Sequence, residues 1–405
     1  MRTARRIAEL RPTAINAVLA EARALQGQGR DIVSLARGEP DLPTPAHVAE
    51  AAIAAIRAGR TGYPNNQGEL SLREAVAARL SRDLGLDYSA VDCSAGGEIL
   101  ITTGATMGIY AALAALLDPG DEIIVPDPIY DAYQSPIALV GGVAASVPAK
   151  VHQDRFLLSL RLVAQACSER TRAILINTPW NPVGTVLRRE ELEELVALAE
   201  ERNLVLISDE IYEHIVYDGR QHISPAALSA SARGRTLLVN SFSKTYAMTG
   251  WRLGYCAGPA RLIQAMYLVL QQSSRGPATF IQDAGIAALS GPQDCVTAMR
   301  EEFARRREQT MTALSGISGV RPLAPEGGFF VMLDVRELGL SSDEIRRQLL
   351  SAHGVVVVHG SAYGPAGEGF LRVSFASGGE ILSEGLRRLR SGLEAIARNR
   401  KREAN

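Results

Sequence analysis

Chemistry concentrates around a lysine that follows an apolar run. Lys244 stands in SFSKTYAMTGWRLGY, directly after TLLVN, with Ser241, Ser243 and Thr245 beside it and Arg252 eight residues on. An amine there can form a Schiff base, and hydroxyls with a guanidinium can hold a phosphate, so the segment suits a phosphorylated carbonyl cofactor. On residue types alone it reads equally as a surface lysine in a polar loop. A second segment, LVLISDEIYEHIVY, ends an apolar run with Asp209 and Glu210 and follows them with Tyr212. A carboxylate so placed can ion-pair with a protonated heteroaromatic nitrogen, and a phenol can hydrogen-bond a ring oxygen. The alternative is that Ser208 or Asp209 merely caps the next helix.

Two further segments join them. In INTPWNPVG, Asn181 precedes Pro182, with Gly184 two residues further. This is a tight turn that either sets an amide against the same ring or only closes a strand. Asn181–Pro182 is the bond at which to expect a cis peptide. ITTGATMGIY joins a strand to a helix through Gly104, Ala105 and Thr106, and backbone N–H groups at a helix start make an anion site. Gly104 and Gly108 do not form a dinucleotide fingerprint.

The elements that must position these groups alternate from Glu98 to Gly258: EILIT, ATMGIYAALAALL, EIIVP, YDAYQSPIALV, RAILIN, an acidic helix over 188–202, LVLIS, TLLVN and LGYCAG. Repeated βα units build a mostly parallel sheet covered by helices on both faces, with ligands beyond the carboxyl ends of the strands. Long helical patterns follow from Arg261 to about Leu314. The last quarter alternates again through GFFVMLDV, a helix over 343–353, GVVVV, LRVSFA and a final helix to about Arg398, a second, smaller α+β unit. No low-complexity linker intervenes, so a continuous helix is expected to bridge the two units. The spacing of apolar residues from Ile7 to Leu25 predicts a surface helix, and the basic RNRKREAN tail a frayed terminus.

Composition narrows the functional classes. The 405 residues are 46% hydrophobic and 21% charged, as in a globular protein with a large core. Forty-three basic residues against 44 acidic ones leave a net charge of −1, which gives no field to attract nucleic acid or anionic lipid. Four scattered cysteines, Cys93, Cys167, Cys256 and Cys295, form no disulfide framework and no CxxC pair, which favours a reducing, cytoplasmic compartment. MRTARRIAEL lacks the apolar core of a secretory signal, and no apolar run approaches the ~20 residues of a membrane span.

Taken in order, ARGEPDLPTP, YPNNQGELSLREA, TTGAT, DPIYDAY, NTPWNPVG, SDEIYEHIVY, SFSKTYAMTGWRLGY and GEGFLRVSFA closely resemble the class I/II aminotransferases. These are fold-type I enzymes dependent on pyridoxal 5′-phosphate, and the likeness is greatest to the aspartate and aromatic subgroup. The resemblance covers nearly the whole chain. It implies a large α/β domain over 48–290 with a mostly parallel seven-stranded sheet, and a smaller α+β domain built from 1–47 and 291–405. Lys244 then matches the lysine of the internal aldimine, Asp209 the partner of the pyridine nitrogen, and Tyr212 with Asn181 the pair on the ring 3-oxygen. Arg252, Ser241, Ser243, Gly104, Ala105 and Thr106 match the phosphate cup, joined in family dimers by Tyr63 of the second subunit. Tyr130 matches the aromatic residue stacked on the ring. Arg372 matches the arginine that grips the substrate α-carboxylate, with Gly38 against the same group; no metal is implied.

The function so implied is ping-pong transamination between an L-amino acid, whether aspartate, aromatic or another neutral one, and a 2-oxo acid such as 2-oxoglutarate, in a homodimer with shared sites. Another pyridoxal phosphate reaction, a β-lyase or a Cα-condensing synthase, would use the same lysine and aspartate. A regulator that keeps this fold to bind an effector is disfavoured, because only about 37 residues precede GEPD, and a nicotinamide dehydrogenase lacks its glycine fingerprint. The chain departs from the family pattern at Trp180 and Val183, expected to reshape the pocket, and at Arg37 and Arg275. Those two arginines could meet a distal substrate carboxylate or the cofactor phosphate, or form structural ion pairs. The family's arginine for that distal carboxylate is unmatched, its place falling near Gln271.

Overall fold

The apolar runs between Glu98 and Gly258 form one seven-stranded sheet in the computed structural model, which describes residues 3–8, 10 and 12–403. Its order is Ile99–Thr102, Gly254–Ala257, Thr236–Ser241, Val205–Asp209, Thr171–Asn177, Glu122–Asp127 and Val143–Pro148. Only Gly254–Ala257 runs antiparallel to its neighbours. Strand residues alternate between two apolar layers. Leu100, Ile123, Leu175 and Val239 pack under the helices Ala105–Leu116 and Ala260–Gln271. Ile99, Ile101 and Leu238 meet the helices Ala46–Arg57, Leu70–Leu84 and Thr279–Ser290, while Ile124, Ile174 and Leu206 meet Arg189–Glu201. Burial on both faces explains why these strands read as continuous apolar runs.

The C-terminal quarter forms a four-stranded antiparallel sheet in the order Arg321–Leu323, Phe330–Asp334, Phe370–Ser374 and Val358–His359. The helices Ser342–His353 and Gly379–Glu403 cover it. The N-terminal segment belongs with this unit: Val33–Ser34 pairs in parallel with Val355–Val356, and Val18 and Ala22 of the helix Ala14–Gly27 pack against Leu350 and Val358. One helix, Asp294–Leu314, connects the two cores. Val296 sits with the helices of the large sheet, and Phe303 and Leu314 with the small one.

Two details differ from the sequence expectation, at the two ends of the chain. The helix predicted from Ile7 is two pieces, Arg5–Ala8 and Ala14–Gly27, with Pro12 between them; proline has no N–H to continue a helical ladder. The long helical patterns expected from Arg261 to Leu314 are present as three helices, interrupted around Gly276–Pro277 and Gly291–Pro292. The basic tail is helical to Glu403 rather than frayed, because Ile396 and Ala397 are buried and the Arg400 Nε donates to the Leu338 carbonyl. Ala404 and Asn405 of that tail lie outside the described residues.

Close backbone approach at the edge of the large sheet sets the site. A Cβ on Gly254 would fall 2.8 Å from the Gly104 carbonyl carbon and 2.9 Å from both the Ala105 nitrogen and the Asn240 oxygen. Backbone on both sides cannot yield, so Gly254→Ala is expected to lower unfolding free energy by about 1–3 kcal/mol. Urea denaturation checks this; an unchanged midpoint would contradict the close approach.

Candidate active site

Strand ends and helix starts deliver the chemical groups to one place. Ser241 ends its strand, and its hydroxyl caps the short helix Phe242–Thr245 by accepting from the Ser243 N–H at 3.2 Å. That turn carries Lys244, whose Nζ donates to the Gly38 carbonyl at 2.6 Å. Two strands away the ladder ends with Asn177 opposite Asp209, and the Asn177 amide donates to the Asp209 carbonyl at 2.9 Å. The Asn177 side-chain oxygen accepts from the Asn181 N–H at 2.7 Å, which locks the turn after the strand. The Asn181–Pro182 bond is cis, as are Asp127–Pro128 and Thr178–Pro179.

A cavity of about 870 Å³ collects these side chains. Its walls include Ala105, Thr106, Tyr130, Asn181, Asp209, Tyr212, Ser241, Ser243, Lys244, Arg252, Arg372 and Gly38. Burial pushes the Lys244 amine down to about 8, with Arg252 and Arg372 acting in the same direction and Glu39 and Asp209 against it. Burial pushes the Asp209 carboxyl up to about 6, and the hydrogen bonds that it accepts from the Tyr133 hydroxyl and the Ile211 N–H restrain the rise. Burial likewise keeps the Tyr130 and Tyr212 phenols protonated.

Opposite Asp209 the cavity is built for an anion. Arg252, at φ +55°, a region non-glycine residues rarely adopt, lays its guanidinium over Gly104, where a Cβ would come 2.6 Å from Nη2. The first N–H groups of the 12-residue helix Ala105–Leu116 open beside it. Gly104 itself underlies the arginine and does not line the cavity. Arg372 is 1% exposed, its guanidinium 4.1 Å from the Phe330 ring centroid and 5.0 Å from that of Tyr363. It donates to the Asn181 side-chain oxygen at 3.3 Å and to the Ala36 carbonyl at 3.1 Å, while its buried Nε has no partner among the described residues. An unpaired buried donor costs about 1–3 kcal/mol and marks where an acceptor is missing.

Other expected residues lie apart. Tyr63 is 94% exposed and is not in the wall of its own chain's cavity. Arg37 stands at the rim, 3.3 Å from Glu39. Arg275 is exposed outside the cavity, in a turn whose Gly276 packs on the backbone oxygens of Asn65 and Asn66. Trp180 and Val183 do not reshape the pocket: both are buried with Phe156, Met332 and Phe370, and the Trp180 indole donates to the Pro128 carbonyl at 2.9 Å. The Gln271 amide donates to the Tyr267 hydroxyl, away from the cavity. Sequence reasoning missed Tyr133, Asn177, Glu39 and Phe330. Tyr133 lies within DPIYDAY, and Asn177 ends its strand and opens NTPWNPVG, yet nothing in their types separates them from core residues.

The cavity fits pyridoxal 5′-phosphate: an anion cup, a low-pKa amine and a buried carboxylate share one enclosure large enough for cofactor and substrate together. A family model described as aminotransferase class I and II matches residues 30–388. A probable aspartate/prephenate aminotransferase of Aquifex aeolicus is 38% identical over 398 residues, 97% of this chain and 99% of that one. An arginine–pyruvate transaminase of Pseudomonas aeruginosa is 40% identical over 362 residues, 89% and 90% of the two chains. The solved aspartate aminotransferase of Thermus thermophilus with maleate has a TM-score of 0.89 at 37% identity, covering 97% of this chain and 100% of that one. With sequence and fold in agreement over nearly the full length, the chain belongs to the class I and II aminotransferases, enzymes that depend on pyridoxal 5′-phosphate.

Proposed function

We propose that this aminotransferase takes its amino group from L-amino acids with neutral side chains, aromatic ones included, and passes it to a 2-oxo acid such as 2-oxoglutarate. The observation that carries the reading is the convergence in one cavity of the Lys244 amine, the Asp209 carboxylate and the unpaired Nε of Arg372. Pyridoxal 5′-phosphate, when bound, supplies an electron-accepting ring that disperses the charge left as the Cα proton departs. Asp209 ion-pairs with the ring nitrogen and keeps it protonated. Tyr212 and Asn181 hydrogen-bond the ring 3-oxygen, and Tyr130 covers the ring face. Ala105, Thr106, Ser241, Ser243 and Arg252 would hold the phosphate, joined by the partner subunit's Tyr63, while Gly104 leaves room for the Arg252 guanidinium. Arg372, with Gly38 beside it, grips the α-carboxylate in a planar fork, and Lys244 takes the proton from Cα.

The preference for neutral donors rests on the outer wall. Ile15, Leu19, Ile32, Val33 and Ile381 line the cavity beside the uncharged Gln26, Ser34 and Ser377, and Arg37, its further arginine besides Arg252 and Arg372, already faces Glu39. The A. aeolicus relative is named for aspartate and prephenate and that of P. aeruginosa for arginine and pyruvate, so family membership does not choose a donor. We place residues 48–290 in a large domain and 1–47 with 291–405 in a small one, in keeping with the two sheets. A homodimer accounts for the exposure of Tyr63 together with Leu70 and Leu268. Four cysteines without disulfides fit a cytoplasmic setting.

A panel of amino acids against 2-oxoglutarate tests the donor class. Phenylalanine and leucine should exceed aspartate in kcat/KM, and Leu19→Asp should cut the phenylalanine value by at least about tenfold; aspartate as the best donor would overturn the preference. Competitive acetylation of the cofactor-free protein should give Lys244 a midpoint near 8, reactivity rising with pH as the amine loses its proton. A midpoint at the ordinary 10.5 would contradict the burial argument. Asp209 has a folded pKa of about 6 against 3.8 unfolded. Its contribution is therefore favourable at low pH and lost as pH rises through 6, leaving a cost of about 3 kcal/mol at pH 8. Asp209→Asn should recover about 1–2 kcal/mol of that in urea unfolding of the cofactor-free protein. The same variant should lower transamination by about 100-fold or more, and a less stable variant would contradict the assignment.

A further inference from the structure

The large sheet runs out beside the cavity and leaves a backbone donor without a strand to meet. Thr236–Ser241 pairs with Val205–Asp209 only as far as Val239 opposite Asp209, and the Glu210 N–H still reaches the Val239 carbonyl at 2.9 Å. Beyond that point the Ser241 N–H has no ladder acceptor on this side. Asn240 supplies one: its side-chain oxygen accepts from the Ser241 N–H at 2.7 Å. The Asn240 side chain is itself held, since its Nδ2 donates to Glu213 Oε1 at 2.6 Å. Glu213 Oε2 lies 2.6 Å from the Arg79 guanidinium, and both side chains are about 5% exposed or less. Arg79 also donates to the Tyr255 hydroxyl at 2.9 Å and to Asp83 at 3.1 Å.

Three elements meet in this chain of contacts. Arg79 belongs to the helix Leu70–Leu84, Glu213 follows Tyr212 in the turn after Asp209, and Asn240 precedes Ser241 at the strand end. A buried ion pair contributes little net stability, because desolvation offsets most of the attraction. What such a pair does supply is orientation: Arg79 holds Glu213 by Oε2 and leaves Oε1 to the Asn240 amide, with His214 Nε2 3.5 Å from the same oxygen. Arg79, with His214 and His222 nearby, holds the Glu213 carboxyl down at about 2 against the upward push of burial, so the link stays ionised at any working pH.

We infer that Arg79, Glu213 and Asn240 form a buried relay that positions Ser241 for the cofactor phosphate and holds it in register with the turn of Asp209 and Tyr212. Asn240 is the positioning residue and touches neither cofactor nor substrate. The inference rests on the reading of Ser241 as a phosphate ligand, and its test separates the two.

The cofactor-free protein is titrated with pyridoxal 5′-phosphate and with pyridoxal, which lacks the phosphate, in wild type, Asn240→Ala, Ser241→Ala and the double variant. Asn240→Ala should weaken pyridoxal 5′-phosphate about tenfold, the loss of roughly one well-placed hydrogen bond to an anion, and leave pyridoxal within about twofold. In the Ser241→Ala background the same change should have little further effect, as expected of residues acting through one contact. Equal weakening of both ligands, or none, overturns the relay. Should Ser241→Ala leave the phosphate ester as tightly bound as before, the reading of Ser241 fails and the relay with it. If alanine at 240 prevents folding, Asn240→Ser keeps a small polar group in the strand and is held to the same outcomes.

Discussion

Two ionisable groups of opposite sign are taken out of water at the carboxyl edge of one sheet, and burial drives both toward neutrality. Lys244 falls to about 8 and Asp209 rises to about 6. Near neutral pH this leaves an amine with an appreciable unprotonated fraction and a carboxylate that is mostly ionised, the pair of states that proton transfer at Cα and a protonated ring require. Much of the surrounding structure serves to sustain that condition. The Tyr133 hydroxyl and the Ile211 N–H keep Asp209 from rising further, and Arg252 and Arg372 reinforce the depression of Lys244. A site held this way costs stability.

The segment after Ala36 joins the site to the rest of the molecule. On one side it grips the lysine turn: Gly38 accepts from Lys244, Glu39 accepts from the Thr249 hydroxyl at 2.6 Å, and the Thr44 hydroxyl donates to the Ala247 carbonyl at 3.0 Å. On the other it grips the C-terminal unit. Asp41 pairs with Arg306 at 2.8 Å and accepts from the Gly378 N–H at 2.7 Å, and the Ser374 hydroxyl donates to the Arg37 carbonyl at 2.5 Å. The two units thereby share a polar seam beside apolar contacts such as those of Trp180 and Val183 with Met332 and Phe370, and Gly38, Glu39 and Lys244 of that seam line the cavity.

Much of this was legible from residue order. Uninterrupted apolar runs gave away strands buried on both faces, and the groups placed just after them, Asp209, Ser241 and Lys244, marked the carboxyl edge as the site. The turn of Asn181 could be located because Asn-Pro with a nearby glycine has few conformations. Contacts formed across long sequence distances left no such trace. Tyr133 reaches Asp209 from 76 residues away, and Arg79 reaches Glu213 from a different helix; each side chain looks like any core tyrosine or helical arginine until the fold brings it in. Trp180 and Val183 misled for the converse reason, since proximity to a site residue in sequence does not put a side chain in the pocket, and both turn into the core behind it.

The account stands on Lys244 and Asp209 acting together on a bound cofactor, and the visible absorbance of the purified protein reconstituted with pyridoxal 5′-phosphate tests this most directly. The long-wavelength band should disappear when an amino donor is added, return on addition of 2-oxoglutarate, and be absent from that cycle in Lys244→Ala. A wild-type band that no amino acid alters, or a Lys244→Ala protein that cycles as well as wild type, would contradict it.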